Sequence, residues 1–222
     1  MIERILEPEV MDDELEAQEY DQMDFMDVNT DFAVLASELG DTSLSLRVLD
    51  IGTGTAHIPL ILSDLCPNWQ IIGVDLAESM LALGEKNIQK AGKSEQIQLQ
   101  LIDGKKMPYE DHSFDLVISN SLVHHIPEPI DLLQQIDRVV KKSGIVIIRD
   151  LFRPNSIEDI EHIVAQANLD YSPRQKKLFY DSLHAALTVD EVTGLTTQIG
   201  WENAKVYQSS SRHWTIVYRQ IN

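Results

Sequence analysis

The chain has one cysteine among its 222 residues, which excludes an intrachain disulfide. That residue, Cys66, stands in an apolar run, where a buried small hydrophobe is its ordinary role. Long hydrophobic runs are missing as well: no stretch approaches the roughly 20 apolar residues of a membrane span. Basic charge is scarce, with 18 Lys and Arg against 36 Asp and Glu, a formal net charge of −18. A surface of that sign repels phosphate backbones and anionic lipid, so neither nucleic acid nor a membrane is expected as a partner. Roughly three-quarters of the excess negative charge falls in the first 45 or so residues, where Arg4 is the only basic residue. Its plain role is solubility. The N-terminus is acidic from Glu3 onward, the wrong charge for a signal peptide, and the whole reads as cytoplasmic. There is no internal repeat and no low-complexity tract.

What is present is an ordinary globular composition, 43% hydrophobic, at a length that suits one domain. Residues 1–45 read as a helical cap. Val28, Phe32, Leu35 and Leu39 share a helical face, with Asn29, Thr30 and Asp31 as cap candidates and Gly40 as a stop. The acidic stretch 11–20 reads as a looser helix. From Leu46 to the end, 46–222, strands and helices alternate. Strands are expected at 46–51, 69–74, 97–102, 114–119 and 144–149, with helices at 55–66, 79–91 and 128–140. In the last of these only Asp137 breaks the apolar stripe. Near-continuous apolar strands joined by helices indicate a parallel sheet covered on both faces. Two helices, 157–169 and 175–187, form a helical insertion over 155–187. A helix at 188–199 follows, opened by a Thr188–Glu191 capping box. The strands 203–208 and 213–218 are joined by about four residues, too few for a crossover, so they pair antiparallel.

The chemistry concentrates at Val48-Leu49-Asp50-Ile51-Gly52-Thr53-Gly54-Thr55-Ala56. A buried strand runs into a glycine turn that opens a helix. Gly52 and Gly54 permit positive φ and let a ligand touch the backbone, and the helix start offers free N–H groups. A dinucleotide fingerprint needs a third small residue three places after Gly54, where this chain has His57, so an NAD-dependent oxidoreductase is the weaker reading. Asp50 would repel a diphosphate and suits a ligand bearing an ammonium group. Asp75 ends the second strand about 20 residues on, where a carboxylate accepts ribose hydroxyls. Asp103, before Gly104, ends the third and suits an adenine amino group. A lone Asp after a strand is ordinarily a cap, but three in register behind a glycine turn point to a ligand.

These residues resemble the core of the class I S-adenosylmethionine-dependent methyltransferases, over Val48 to Asp150. The family's acidic Gly-x-Gly-x-Gly motif is matched by Asp50-Ile51-Gly52-Thr53-Gly54-Thr55-Ala56, with Ala56 in the third glycine's place. The resemblance implies a Rossmann-like, doubly wound α/β fold: a mostly parallel seven-stranded sheet with an antiparallel final strand, and helical lid elements. It implies S-adenosylmethionine as cofactor and S-adenosylhomocysteine as product. It assigns the cofactor to Asp50, Gly52, Thr53, Gly54, Asp75, Leu76, Asp103, Gly104 and Asn120, with Tyr20 in a lid. The segment Phe114 to Asn120 resembles the family's fourth-strand motif. Lys141-Lys142-Ser143-Gly144 resembles its turn into the fifth strand, with Ser143 for the usual proline. Asn120-Ser121-Leu122-Val123-His124-His125-Ile126 is similar to the small-molecule branch that includes quinone-biosynthesis enzymes. The implied activity is methyl transfer to a small molecule on oxygen, nitrogen or carbon. A non-catalytic S-adenosylmethionine-binding sensor or scaffold is the alternative from another class. The Asn-Pro-Pro-Tyr type of motif is absent after the fourth strand, which lowers one protein-methylating branch.

Methyl transfer from a sulfonium is an in-line displacement, and alignment in a dry site is its main requirement. A hydroxyl or acidic carbon also benefits from a base. His125, then His124, are the candidates; the plain alternative is that they bond loop backbone. Without His-Glu-x-x-His, a Cys pair or His-x-His, no metal site is read from the pattern. Arg149 and Asp150, at the end of the fifth strand, are candidates for a polar or anionic substrate, or for an ion pair with the acidic N-terminal segment. Tyr20, Tyr171 and Tyr180 are candidates for lining a lid, though aromatics at helical spacing more often pack.

Overall fold

The computed structural model describes residues 2–7, 12, 14–23, 25–167 and 171–219. The apolar runs become the strands of one sheet: β1 (Arg47–Ile51), β2 (Gln70–Asp75), β3 (Ile97–Leu101), β4 (Phe114–Asn120), β5 (Val140–Leu151), β6 (Lys205–Gln208) and β7 (His213–Arg219). Their order is β3-β2-β1-β4-β5-β7-β6. The first five run parallel, and β7 is antiparallel to both β5 and β6. The order reverses between β1 and β4, so a crevice opens above their carboxyl ends, where ligands of such sheets bind.

The helices are α1 (Glu14–Asp21), α2 (Met26–Leu39), α3 (His57–Leu65), α4 (Glu78–Ala91), α5 (Ile130–Val139), α6 (Ile157–Gln166), α7 (Pro173–Ala185) and α8 (Val189–Gln198). Successive strand residues point to opposite faces, and here both faces are covered. Leu49, Val117 and Ile148 pack on one side with Leu132 and Ile136 of α5 and Val192 of α8. Val48, Leu116 and Ile147 pack on the other with Phe32 of α2, Leu62 of α3 and Ile88 of α4. That double burial is why the strands read as unbroken apolar runs rather than alternating ones. Cys66 is fully buried in the second cluster. Asp137, the break in the α5 stripe, accepts the indole N–H of Trp201 at 2.7 Å. Trp201 in turn stacks on Tyr218 with ring centroids 4.5 Å apart. Among the described residues no helix is long and apolar enough to cross a membrane.

Local signals set most helix ends. The Thr188–Glu191 capping box is present, and Ser172 with Gln175 makes a second one ahead of Pro173. Gly92 closes α4 in the left-handed region, at φ 68°. Three expectations shift. Helix α2 begins at Met26, after Phe25 and with no side-chain cap, so Asn29, Thr30 and Asp31 lie inside it. Gly40 does end α2, but in extended backbone; its missing side chain matters because a Cβ there would stand 2.6 Å from the Trp69 ring. Strand β5 begins at Val140 rather than Gly144, with a register shift opposite Phe114 and Leu116. Helix α1 starts at Glu14, and Met11 and Asp13 of the stretch 11–20 lie outside the described residues, as do 168 and 169 of the stretch 157–169.

Candidate functional site

The turn after β1 carries positive φ at every second residue: 74° at Gly52, 54° at Gly54 and 65° at Ala56. Two glycines adopt this freely, and Ala56 adopts it against its own preference. The amides of Gly52 and Thr53 both donate to the Val74 carbonyl, at 2.8 and 3.0 Å, which ties the turn to β2. Nothing but Tyr20 Cε1, at 3.8 Å, comes near the place of a Cβ on Gly54. His57 opens α3, and its Nε2 meets Asp21 of α1 at 2.9 Å.

The three strand-end carboxylates differ in setting. Asp75 takes the Gly54 amide on Oδ2 at 2.9 Å and the Ala77 amide on Oδ1 at 3.0 Å. Burial raises its pKa even against those bonds. Asp103 accepts from the Lys105 amide at 2.8 Å, with the Lys105 ammonium 3.2 Å away. Asp50 is 1% exposed and accepts the Thr53 hydroxyl at 2.7 Å. Burial pushes its pKa up to about 7.

A cavity of about 470 Å³ lies over this edge. Gly52, Gly54, Asp75, Leu76, Asp103, Gly104, Asn120, Tyr20, His124 and His125 all border it. Asn120 Oδ1 is buried with no hydrogen-bond partner. Burial, then nearby carboxylates, push the Tyr20 hydroxyl up to about 12. The other expected residues are placed elsewhere. Asp50 and Thr53 are not among the residues lining the cavity, and the Thr53 hydroxyl donates to Asp50. Arg149 points away from the cavity, its guanidinium 5.3 Å from the centroid of the Phe32 ring on α2 and its Nε donating to Thr215. Asp150 is fully buried and bonds His124, and neither Arg149 nor Asp150 is among the residues that line this cavity. Adjacent residues of one strand face opposite sides, which separates the pair. Tyr171 borders the cavity; Tyr180 does not, and packs with Ile160, Leu183 and Leu151.

The histidines sit on a single 3-10 turn, Val123–His125, after β4. His124 is 3% exposed. Its Nδ1 meets Asp150 Oδ1 at 2.5 Å, and its amide donates to Asp150 Oδ2 at 3.1 Å. Burial alone would lower its pKa, but Asp150 and Glu7 outweigh that and raise it. Glu7 Oε1 stands 3.4 Å from His124 Nε2 and 3.2 Å from His125 Nδ1. Sequence reasoning missed Glu7 and Arg4. The Arg4 guanidinium donates to the carbonyls of Ala185, Pro127, His124 and Ile126, at 2.6, 3.2, 3.1 and 3.0 Å. It thereby pins the N-terminal segment across the histidine turn. A lone Arg in an acidic stretch was the one available signal. The apolar wall, including Leu122, Ile126, Leu178 and Phe179, carried none beyond ordinary core patterning.

The glycine turn, the strand order and the crevice define a Rossmann-like fold. Residues 49–148 match the family described as a methyltransferase domain. A demethylmenaquinone methyltransferase from Bacillus cytotoxicus is 32% identical over 118 residues, 53% of this chain and 49% of that protein. The chain thus spans about half the length of such curated relatives. A ubiquinone/menaquinone biosynthesis C-methyltransferase from a Geobacter species is 25% identical over 170 residues, 72% of each chain. The crystal structure of a SAM dependent methyltransferase from Aquifex aeolicus superposes with a TM-score of 0.68 at 18% identity, covering 94% of this chain and 99% of that one. Residues 49–148, a little under half of the chain, thus carry a methyltransferase domain, and the fold is that of S-adenosylmethionine-dependent methyltransferases.

Proposed function

We propose that this protein transfers the methyl group of S-adenosylmethionine to a small, largely apolar acceptor. The observation that carries this reading is one cavity that gathers Gly52, Gly54, Asp75, Asp103 and Asn120 at the switch point of the sheet. These residues fit the cofactor. Asn120 Oδ1 is a buried acceptor without a donor, which an ammonium would satisfy. The uncovered Gly54 leaves space for the amino-acid end. Asp75 keeps free lone pairs for two ribose hydroxyls. Asp103 and Gly104 would hold the adenine, with Leu76 beside them, and Tyr20 would cover the site. Bound S-adenosylmethionine supplies an electrophilic methyl, and S-adenosylhomocysteine leaves as product.

The chain's own task is orientation and exclusion of water. The caps suit it: Tyr20, Met23 and Phe25 from the N-terminal region and Leu178 and Phe179 from α7 all border the cavity. We assign residues 1–45 and the helices within 155–187 to this cover. His125 is the histidine placed to take a proton from a hydroxyl or acidic carbon, while His124 is a positioning residue held by Asp150. The walls at Leu122, Ile126 and Phe179 suit an apolar ring, in keeping with the quinone-directed names of the relatives. Titration calorimetry with S-adenosylmethionine, followed by S-adenosylhomocysteine release with quinol, phenol and amine acceptors, tests the reading. Absence of cofactor binding defeats it. Binding with no transfer to any acceptor leaves a sensor or scaffold.

A further inference from the structure

We propose that Glu7, His124 and His125 form a binding site for a divalent transition-metal ion, zinc in the first instance, at the wall of the cavity. Two imidazole nitrogens and one carboxylate oxygen lie within 4.8 Å of one another. The two edges that Glu7 Oε1 makes, 3.2 Å to His125 Nδ1 and 3.4 Å to His124 Nε2, match a tetrahedron with bonds of about 2.0–2.1 Å. Two imidazoles and a carboxylate, with further positions open, are the donor set of catalytic rather than structural zinc.

The group is built as a ligand set is built. Asp150 engages His124 Nδ1 at 2.5 Å, which fixes the ring and leaves Nε2 facing Glu7. A carboxylate behind a histidine in this way is the usual support of a metal ligand. The Glu7 side chain is only 9% exposed, and its Oε1 is buried yet accepts no hydrogen bond, although two imidazoles stand within 3.4 Å. Lone-pair atoms that converge without hydrogen-bond alignment are arranged for a shared cation. Glu7 Oε2 is held separately by the Ser182 hydroxyl at 3.3 Å. Arg4 fixes the segment bearing Glu7 by bonding the carbonyl of His124 itself. Glu7 and Asp150 place two carboxylates against the histidines, which favours a cation between them. Both histidines border the cavity, so the open positions face it. No local spacing announces the site, because Glu7 arrives from the far end of the chain. The inference stands whether or not methyl transfer occurs; with the ion bound, His125 would be a ligand, and it would serve as the proposed base only in the metal-free protein.

The test is metal titration of the chelator-stripped full chain. Equilibrium dialysis against zinc, read by elemental analysis, should give one ion per chain, and cobalt(II) should give visible ligand-field bands. Glu7→Gln and His125→Ala should each weaken cobalt binding at least about 10-fold, and Asp150→Asn about 10- to 100-fold through His124. His162→Ala, on α6 and outside the group, should bind as the native chain does. Equal affinity in E7Q, H125A and the native chain overturns the proposal, as does the absence of a bound ion. Should the variants fail to fold, imidazole nitrogen spectra of the native chain decide. Zinc should shift two of the seven histidines. Shifts at none, or at others, mean that Glu7 and the histidines are an ion pair only.

Discussion

Asp75 accepts the Gly54 backbone amide on Oδ2 at 2.9 Å, and this bond joins the end of β2 to the glycine turn. The Ala77 amide holds the other oxygen. The carboxylate is thus oriented by the fold itself, and a ligand finds it in place.

Asp75→Ala should therefore weaken S-adenosylmethionine binding by about 100-fold, the loss of two charge-assisted hydrogen bonds. The fold should survive, because the two amides released lie at the cavity edge, where water can reach them. Calorimetry and a melting curve check both halves. Native-like affinity would remove Asp75 from the site.

Asp50 gives a pH signature. Its folded pKa, about 7, lies above the unfolded value of 3.8, because burial disfavours the charged form. Stability from this group is complete below pH 4 and is lost as pH rises through about 7. Asp50→Asn abolishes that loss while its amide oxygen can still accept the Thr53 hydroxyl. The stability of the variant relative to the native chain should climb between pH 5 and 8, by roughly 2–4 kcal/mol in all. Urea titrations of both proteins across that range measure it; a constant difference would show Asp50 charged throughout.

Ala56 occupies left-handed backbone at φ 65° while fully buried. An alanine there carries about 1–2 kcal/mol of strain, which glycine lacks. Buried Ala→Gly changes ordinarily destabilise, but Ala56→Gly should fall within about 0.5 kcal/mol of native or above it, since strain relief offsets the lost methyl and the freer unfolded chain. Chemical denaturation settles it. A loss above 1.5 kcal/mol would mean that the turn is unstrained.

Arg4→Ala should destabilise by about 2–3 kcal/mol, since four carbonyls lose one charged donor. Arg4→Lys should recover little, because a point ammonium cannot span them. Hydrogen exchange should rise first at His125 and Ile126, whose amides close the 3-10 turn onto Leu122 and Val123. Uniform exchange would show that the arginine does not brace the turn.

The strands were legible because burial on both faces leaves runs such as Leu116-Val117-Ile118 with no polar interruption. The glycine turn was legible because positive φ restricts residue choice, and the border residues Asp75, Asp103 and Asn120 follow from strand ends. Arg149 and Asp150 end a strand as Asp75 and Asp103 nearly do, and only the packing on the sheet's two faces sets Arg149 against Phe32 and Asp150 against His124. Helix α2 hid its start because Phe25 caps nothing. Glu7 and Arg4 were invisible for another reason. Their partners lie more than a hundred positions away in sequence, and no local periodicity encodes such a contact.

The burial of Cys66 has a practical side. Its thiol is out of reach of reagents in the folded chain, and it has no sibling to react in its stead. A cysteine introduced at Ile5, which is 58% exposed and one place from Arg4, would take a spin label or fluorophore alone. Attachment and release of the N-terminal segment would then be observable in the native protein without a background signal.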